Sequence, residues 1–277
     1  MDAIKGLLPN VRSKAPLVHF LTNYVTVNDC ANITLACGGS PIMADEKSEV
    51  EQISSLCAAV VINIGTVNVR TLSAMLQAGR YANDCGIPII LDPAGAGASD
   101  FRNDAVSRLL REVNFTAIKG NISEVKFLSN GIMSTQGVDA STEDLVCEET
   151  LYDTLVFSRQ LSVMTGSVIM ITGPIDIVAD SQRGYAIRNG HPMMARVSGT
   201  GCMSGAVAGC FLGANPSCAL ESMVVSTAAM GLCGELAYEK KTMLDAGVST
   251  YRNLMIDAMD KLTEDVLAER AKIQRIF

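Results

Sequence analysis

Ile87-Pro-Ile-Ile-Leu-Asp-Pro-Ala-Gly-Ala-Gly97 is a short apolar run that stops at an aspartate and a glycine-rich turn. Consecutive rather than alternate apolar positions fit a strand covered on both faces, as strands are inside a parallel sheet. The same form recurs in Val18-His-Phe-Leu21, Pro41-Ile-Met-Ala44, Ala59-Val-Val-Ile-Asn-Ile-Gly65, Thr116-Ala-Ile-Lys-Gly120 and Val168-Ile-Met-Ile-Thr-Gly173. Each gathers its polar residues at its C-terminal end. Between them, residues 27–36, 48–56, 70–84, 103–111, 121–128 and 144–164 carry helical spacing or composition. This alternation predicts an α/β protein with a central, mostly parallel sheet flanked by helices on both faces. Such sheets take ligands beyond the carboxyl ends of their strands, so the strand-end residues become candidates for a site.

After Thr172 the pattern changes. Asp176-Ile-Val-Ala-Asp180 and Gly184-Tyr-Ala-Ile-Arg188, separated by three residues, predict an antiparallel hairpin added at the sheet edge. Helices are expected from Cys202 onward, ending in one surface helix over residues 250–276 with Leu254, Ala258, Leu262, Val266 and Ala268 on its inner stripe. No linker, repeat or low-complexity tract divides the chain, so residues 1–277 are expected to form one domain.

Composition narrows the function classes. A hydrophobic content of 48% with 18% charged residues supplies ample core and argues against disorder. The net charge of −7 comes without a basic cluster, which argues against nucleic acid or an anionic membrane surface as partner and favours a small molecule. The apolar region from Gly205 to Ala237 is interrupted by Asn215-Pro216 and carries Glu221 and Glu235, so it reads as buried helices rather than a membrane span. Residues 1–9 contain no apolar run of signal-peptide length, and a cytoplasmic location is expected. Nine cysteines without a CxxC pair, beside only His19 and His191, leave no zinc or iron–sulfur spacing and point to reduced thiols. Both histidines read as packing or capping residues.

The strongest chemical signal is Val197-Ser-Gly-Thr-Gly-Cys-Met-Ser-Gly-Ala-Val-Ala-Gly209, a glycine-bracketed turn running into a helix of small residues. Backbone N–H groups of Gly199, Thr200 and Gly201 can converge on an anion there, aided by the positive end of the helix. Cys202 would lie in the first helical turn, where a thiolate is favoured; a small buried thiol is the plainer reading. Three familiar phosphate motifs fail: no Gly-Lys-Ser/Thr occurs, Ser204 stands where a dinucleotide fingerprint needs glycine, and Ala208 where a cysteine phosphatase loop needs arginine. Asp92 can serve Mg2+ or cap its own turn. Asn121 and Glu124 either cap the next helix reciprocally or face the same cleft as Asp92. Lys119 offers a cation nearby, and Thr172 a hydroxyl and free backbone for nucleotide phosphate. Asn23 and Met43, at the ends of the first two strands, are candidate substrate contacts, one polar and one apolar.

Thr22-Asn-Tyr-Val-Thr26, Ser40-Pro-Ile-Met-Ala44, Asn63-Ile-Gly-Thr66, Leu91-Asp-Pro-Ala-Gly-Ala-Gly97, Lys119-Gly-Asn-Ile-Ser-Glu124 and Val197-Ser-Gly-Thr-Gly-Cys202 occur in this order over roughly residues 15–240. Together they resemble the hydroxyethylthiazole kinases of thiamine salvage, members of the ribokinase-like superfamily. The resemblance implies transfer of the ATP γ-phosphoryl group to 4-methyl-5-(2-hydroxyethyl)thiazole with Mg2+, in a homotrimer with sites at subunit interfaces. It also implies that Met43 and Gly199 contact the thiazole with Asn23 nearby, that Asp92 and Glu124 serve the metal and phosphates, and that Lys119, Asn121 and Thr172 belong to the ATP site. Cys202 would stand at the hydroxyl, and Gly199 to Cys202 would supply the anion hole. Lys119 departs from the arginine common in this family, and Met203-Ser-Gly-Ala-Val207 is less bulky than usual. Other readings are a related vitamin-precursor alcohol kinase, a silent thiazole-binding protein and a cysteine-nucleophile hydrolase.

Overall fold

The computed structural model describes residues 5–132 and 146–277. In chain order the elements are α1 (Leu7–Lys14), β1 (Leu17–Leu21), α2 (Val27–Cys37), β2 (Ser40–Met43), α3 (Val50–Ser55), β3 (Ala59–Asn63), α4 (Val69–Asp84), β4 (Ile89–Asp92) and α5 (Asp100–Glu112). They continue with β5 (Ala117–Asn121), α6 (Ile122–Ile132), α7 (Leu151–Thr165), β6 (Val168–Thr172), β7 (Asp176–Ala179) and β8 (Gly184–Ile187). The chain ends with α8 (Thr200–Ala214), α9 (Ala219–Met243), α10 (Val248–Lys261), α11 (Glu264–Arg270) and β9 (Ile273–Arg275).

Nine strands form a sheet in the order β2-β1-β3-β4-β5-β6-β7-β8-β9. The pairs from β2 through β6 are parallel, and those from β6 through β9 are antiparallel. Successive strand residues face opposite layers, as the two-residue period demands. Val18, Phe20, Val61, Ile90, Ala117 and Met170 pack under α1, α2, α8, α9, α10 and α11. Val60, Ile62, Ile89, Leu91, Ile118 and Ile169 pack under α3, α4, α5, α6 and α7. The strand order reverses between β1 and β3, which opens a crevice beyond their carboxyl ends.

Helix α8 packs tightly on the sheet, with most of its residues buried. Its glycines make this possible: a Cβ on Gly209 would lie 2.8 Å from Val61 Cγ2, and one on Gly213 3.2 Å from Ala58 Cβ. The small residues after Cys202 therefore bring the helix down onto β1 and β3, with Met203, Ala206 and Val207 filling the layer above.

Two expectations are corrected. The terminal segment is two helices and a strand rather than one helix. Leu262 takes an extended conformation, Thr263 caps α11 by accepting from the Val266 N–H at 3.3 Å, and the chain then pairs β9 with β8. The hairpin β7–β8 stands as expected on the antiparallel side of the sheet, with β9 paired outside it. The helix expected from residue 144 begins at Leu151; residues 133–145 lie outside those described, and 146–150 form an extended and turn segment held by the Cys147 N–H donating to Thr150 Oγ1 at 3.0 Å.

Candidate active site

The carboxyl ends of β1, β3, β4, β5 and β6 and the first turn of α8 point into one region. Gly199 precedes α8 with φ at +92°, and a Cβ there would sit 2.4 Å from Thr26 Cγ2, so only glycine suits both the backbone and the space. Thr200 Oγ1 donates back to the Met194 carbonyl at 3.3 Å, bracing the turn. Cys202 is the third residue of the helix and half-buried. Its sulfur receives two amide donors, Asn23 Nδ2 at 3.3 Å and Asn63 Nδ2 at 3.4 Å.

Both asparagines are buried and locked from the other side. Asn23 Oδ1 accepts from the N–H and hydroxyl of Thr26, each at 3.0 Å, while Asn63 Oδ1 accepts from Asn23 Nδ2 at 3.0 Å and from the Gly65 N–H at 2.9 Å. The reversal between β1 and β3 thus places one asparagine on each side of the crevice. Asn63 and Met43 also line a cavity of about 350 Å³, together with Phe20, Val27 and Met75. The mouth carries Tyr24, Asp45 and Arg70.

Beside the first turn of α8 lies a buried ion pair, with Lys119 Nζ 3.3 Å from Asp92 Oδ2. A Cβ on Gly201 would come within 3.3 Å of Lys119 Nζ, and one on Gly205 within 3.8 Å of Asp92 Oδ2. The ammonium therefore faces the helix terminus at close range. Burial pulls its pKa down, but the negative charge of Asp92, with contributions from Cys202 and Glu124, outweighs that and holds its pKa above the ordinary lysine value.

Asn121 and Glu124 form the reciprocal cap: the Glu124 N–H donates to Asn121 Oδ1 at 2.8 Å, and the Asn121 N–H to Glu124 Oε2 at 2.9 Å. Glu124 also accepts the Gly95 N–H on Oε1 at 2.8 Å, which ties the cap to the turn after Asp92. Capping and proximity to the cleft are thus not exclusive at Glu124. Thr172, half-buried at the end of β6, donates to the Gly120 carbonyl at 3.4 Å. Next to it, Asp176 Oδ1 accepts the Gly173 N–H at 2.9 Å, and burial pushes its carboxyl up to about 7 against the opposing pull of that N–H and of Lys119.

The remaining candidates separate by environment. His19 is buried between Ser54 Oγ at 2.9 Å and the Ala44 carbonyl at 2.7 Å, and His191 caps the helical turn Pro192–Arg196 while stacking on Tyr238, so both have structural occupations. Burial pushes the thiols of Cys30 and Cys233 up to about 12 and that of Cys57 to about 11. Sequence reasoning missed Asn63 as a partner of Cys202, although its signal was present: a polar residue closing an apolar strand, as Asp92 closes β4.

The hydroxyethylthiazole kinase family model matches residues 8–265. The chain belongs to the hydroxyethylthiazole kinase family. A hydroxyethylthiazole kinase from Clostridium acetobutylicum is 49% identical over 98% of this chain and 99% of its own length. One from Desulfovibrio desulfuricans is 49% identical over 100% and 99%. The structure of a hydroxyethylthiazole kinase protein from Pyrococcus horikoshii superposes with a TM-score of 0.89 at 31% identity, covering 100% of both chains. A ribokinase-like superfamily protein from Enterococcus faecalis shares the fold at a TM-score of 0.60 and 12% identity, over 94% of each chain. The fold is ribokinase-like, and membership of the family makes the chain a kinase, hence a transferase. Among the described residues no helix is long and apolar enough to cross a membrane.

Proposed function

We propose that the chain, as one domain, transfers the γ-phosphoryl group of ATP to the primary hydroxyl of 4-methyl-5-(2-hydroxyethyl)thiazole, a step of thiamine salvage in the cytoplasm. The observation that carries this reading is the first turn of α8, whose Gly199 conformation and close approach to Lys119 and Asp92 join an anion cradle to a fixed cation. A neutral ring fits the apolar part of the adjoining cavity, against Phe20, Met43 and Met75, with its hydroxyethyl arm directed past Asn63 toward Cys202. Gly199 and Asn23 then border the substrate.

Phosphoryl transfer passes through a loose transition state, so position and charge matter more than a strong base. The backbone N–H groups of Gly199, Thr200 and Gly201 receive the phosphoryl oxygens as charge develops, and Lys119 balances that charge. The bond from γ-phosphorus to ADP breaks as the bond to the alcohol oxygen forms, and Cys202 in its thiolate form assists by accepting the alcohol proton to become the thiol. Asn121 and Thr172 lie where the polyphosphate would run.

Asp92 and Glu124 suit Mg2+, which takes one or two carboxylates and fills its shell with water and substrate phosphate. Each Glu124 oxygen already accepts one backbone N–H and keeps lone-pair capacity for metal-bound water. When bound, Mg2+ would neutralise the polyphosphate and orient it.

A homotrimer would cover the cavity mouth, where Tyr24 and Val25 are exposed; sedimentation velocity reads the mass directly. The function is tested by ADP release from Mg2+ and ATP with and without the thiazole alcohol, and by mass spectrometry of the product. Thiazole-dependent ADP with a phosphorylated alcohol supports the reading. Thiazole binding without either product would leave a binding protein of the same fold.

A further inference from the structure

Arg102 stands in the first turn of α5, the end of a helix where a cation is electrostatically disfavoured. Its guanidinium turns away from solvent toward backbone carbonyls. Nη1 donates to the Ile64 and Ala94 carbonyls, both at 2.8 Å, and Nη2 donates to the Gly65 carbonyl at 2.7 Å. One planar group therefore joins the loop leaving β3 to the loop leaving β4. Gly95 admits it: with φ at +77°, a Cβ there would lie 3.0 Å from Nη1. Short donors from an ionised fork are stronger and more directional than ordinary hydrogen bonds.

Each joined loop carries a group of the site. The Gly65 N–H donates to Asn63 Oδ1, and Asn63 Nδ2 donates to Cys202 Sγ. The Gly95 N–H donates to Glu124 Oε1, in the turn that follows Asp92. The guanidinium thus sets the separation between the thiol side of the cleft and its carboxylate side without touching either.

Resting on the phosphoryl-transfer reading above, we propose that Arg102 is a positioning residue that holds the two loops at the spacing the reaction needs. Lysine keeps the stem and charge but cannot reach three carbonyls with a planar fork. Residues that orient metal-binding groups typically cost 10–100-fold when replaced. The test uses the full chain with Arg102→Lys and Arg102→Gln. Amide hydrogen exchange without ligands should speed up by about 10-fold at Gly65 and Gly95 while the interiors of β3 and β4 stay protected. Under turnover, kcat should fall about 10-fold and half-activation by Mg2+ should shift upward by a similar factor, with KM for ATP within twofold. Guanidinium ion, but not equal sodium chloride, should restore part of the Arg102→Gln loss. If Arg102→Gln fails to fold, Arg102→Lys carries the same readouts. Unchanged exchange at both glycines overturns the proposal, as does faster exchange with kcat and Mg2+ response within twofold of the parent. A parent that makes no thiazole-dependent ADP sinks the phosphoryl-transfer reading; an active parent with indifferent variants sinks only the role of Arg102.

Discussion

Cys202 is held by two carboxamide donors that are themselves pinned by Thr26 and Gly65, so its sulfur is fixed rather than free to rotate. On the proposed reading a thiolate so placed would help to remove the alcohol proton, while the N–H groups of the first turn of α8 and Lys119 would bear most of the developing charge. Cys202→Ala should therefore leave measurable turnover, and Cys202→Asp, which supplies a carboxylate base, should raise it. Steady-state kcat with ATP and the thiazole alcohol decides both, and complete loss in the alanine variant contradicts this division of labour. Asp176 makes a second residue-scale prediction. Its folded carboxyl titrates at about 7 instead of the usual 3.8, so the folded state keeps a proton that the unfolded state has lost. Stability from this group therefore declines as pH rises from roughly 4 to about 7 and levels off above. In Asp176→Asn that decline should vanish, read as urea midpoints that no longer fall over this range relative to the parent.

Among the elements, α8 shows how closely packing serves chemistry. Its glycines at 205, 209 and 213 recur every fourth residue and bring the helix against Asp92, Val61 and Ala58 in turn. Gly209→Leu should push the helix off β1 and β3 and cost about 1–3 kcal/mol, as overpacked cores do. Chemical denaturation measures the loss, and kcat should drop with it because the first turn moves away from Lys119. The strands that flank this helix were legible because runs such as Ala59–Asn63 and Ile89–Asp92 are apolar at every position before the polar residue that closes them. The last strand was not: Lys272-Ile-Gln-Arg-Ile-Phe277 follows two charged helices and alternates like any amphipathic tail, so helical spacing upstream masked it. Asp92 and Lys119 could be placed near one another from strand ends, whereas Glu124 stood open between a helix cap and the cleft. Arg102 could not be placed, since an arginine on a helix reads as solvated until the carbonyls it meets are known.

For the whole molecule, one sheet supplies both the scaffold and the address of the site. The reversal between β1 and β3 opens the crevice, and the parallel run through β6 lines up strand ends carrying Asn23, Asn63, Asp92, Lys119 and Thr172. The parallel sheet and its polar strand ends were expected from the alternation of strands and helices; the point of reversal and the part played by Asn63 were not. The resemblance carried by the quoted motifs added the substrate class, which no spacing argument supplies. Helix α8 enters this arrangement from far along the chain: the bond between Asn23 and the Cys202 sulfur spans 179 residues. Contacts of such separation form late, because loop closure costs entropy before they repay it. The first turn of α8 is thus expected to dock last, onto a sheet already built. On dilution from urea, helical circular dichroism should recover first and thiazole-dependent ADP production should lag behind it. A nascent chain would then acquire its fold and its activity as two separate events, the second waiting on the docking of a single helix.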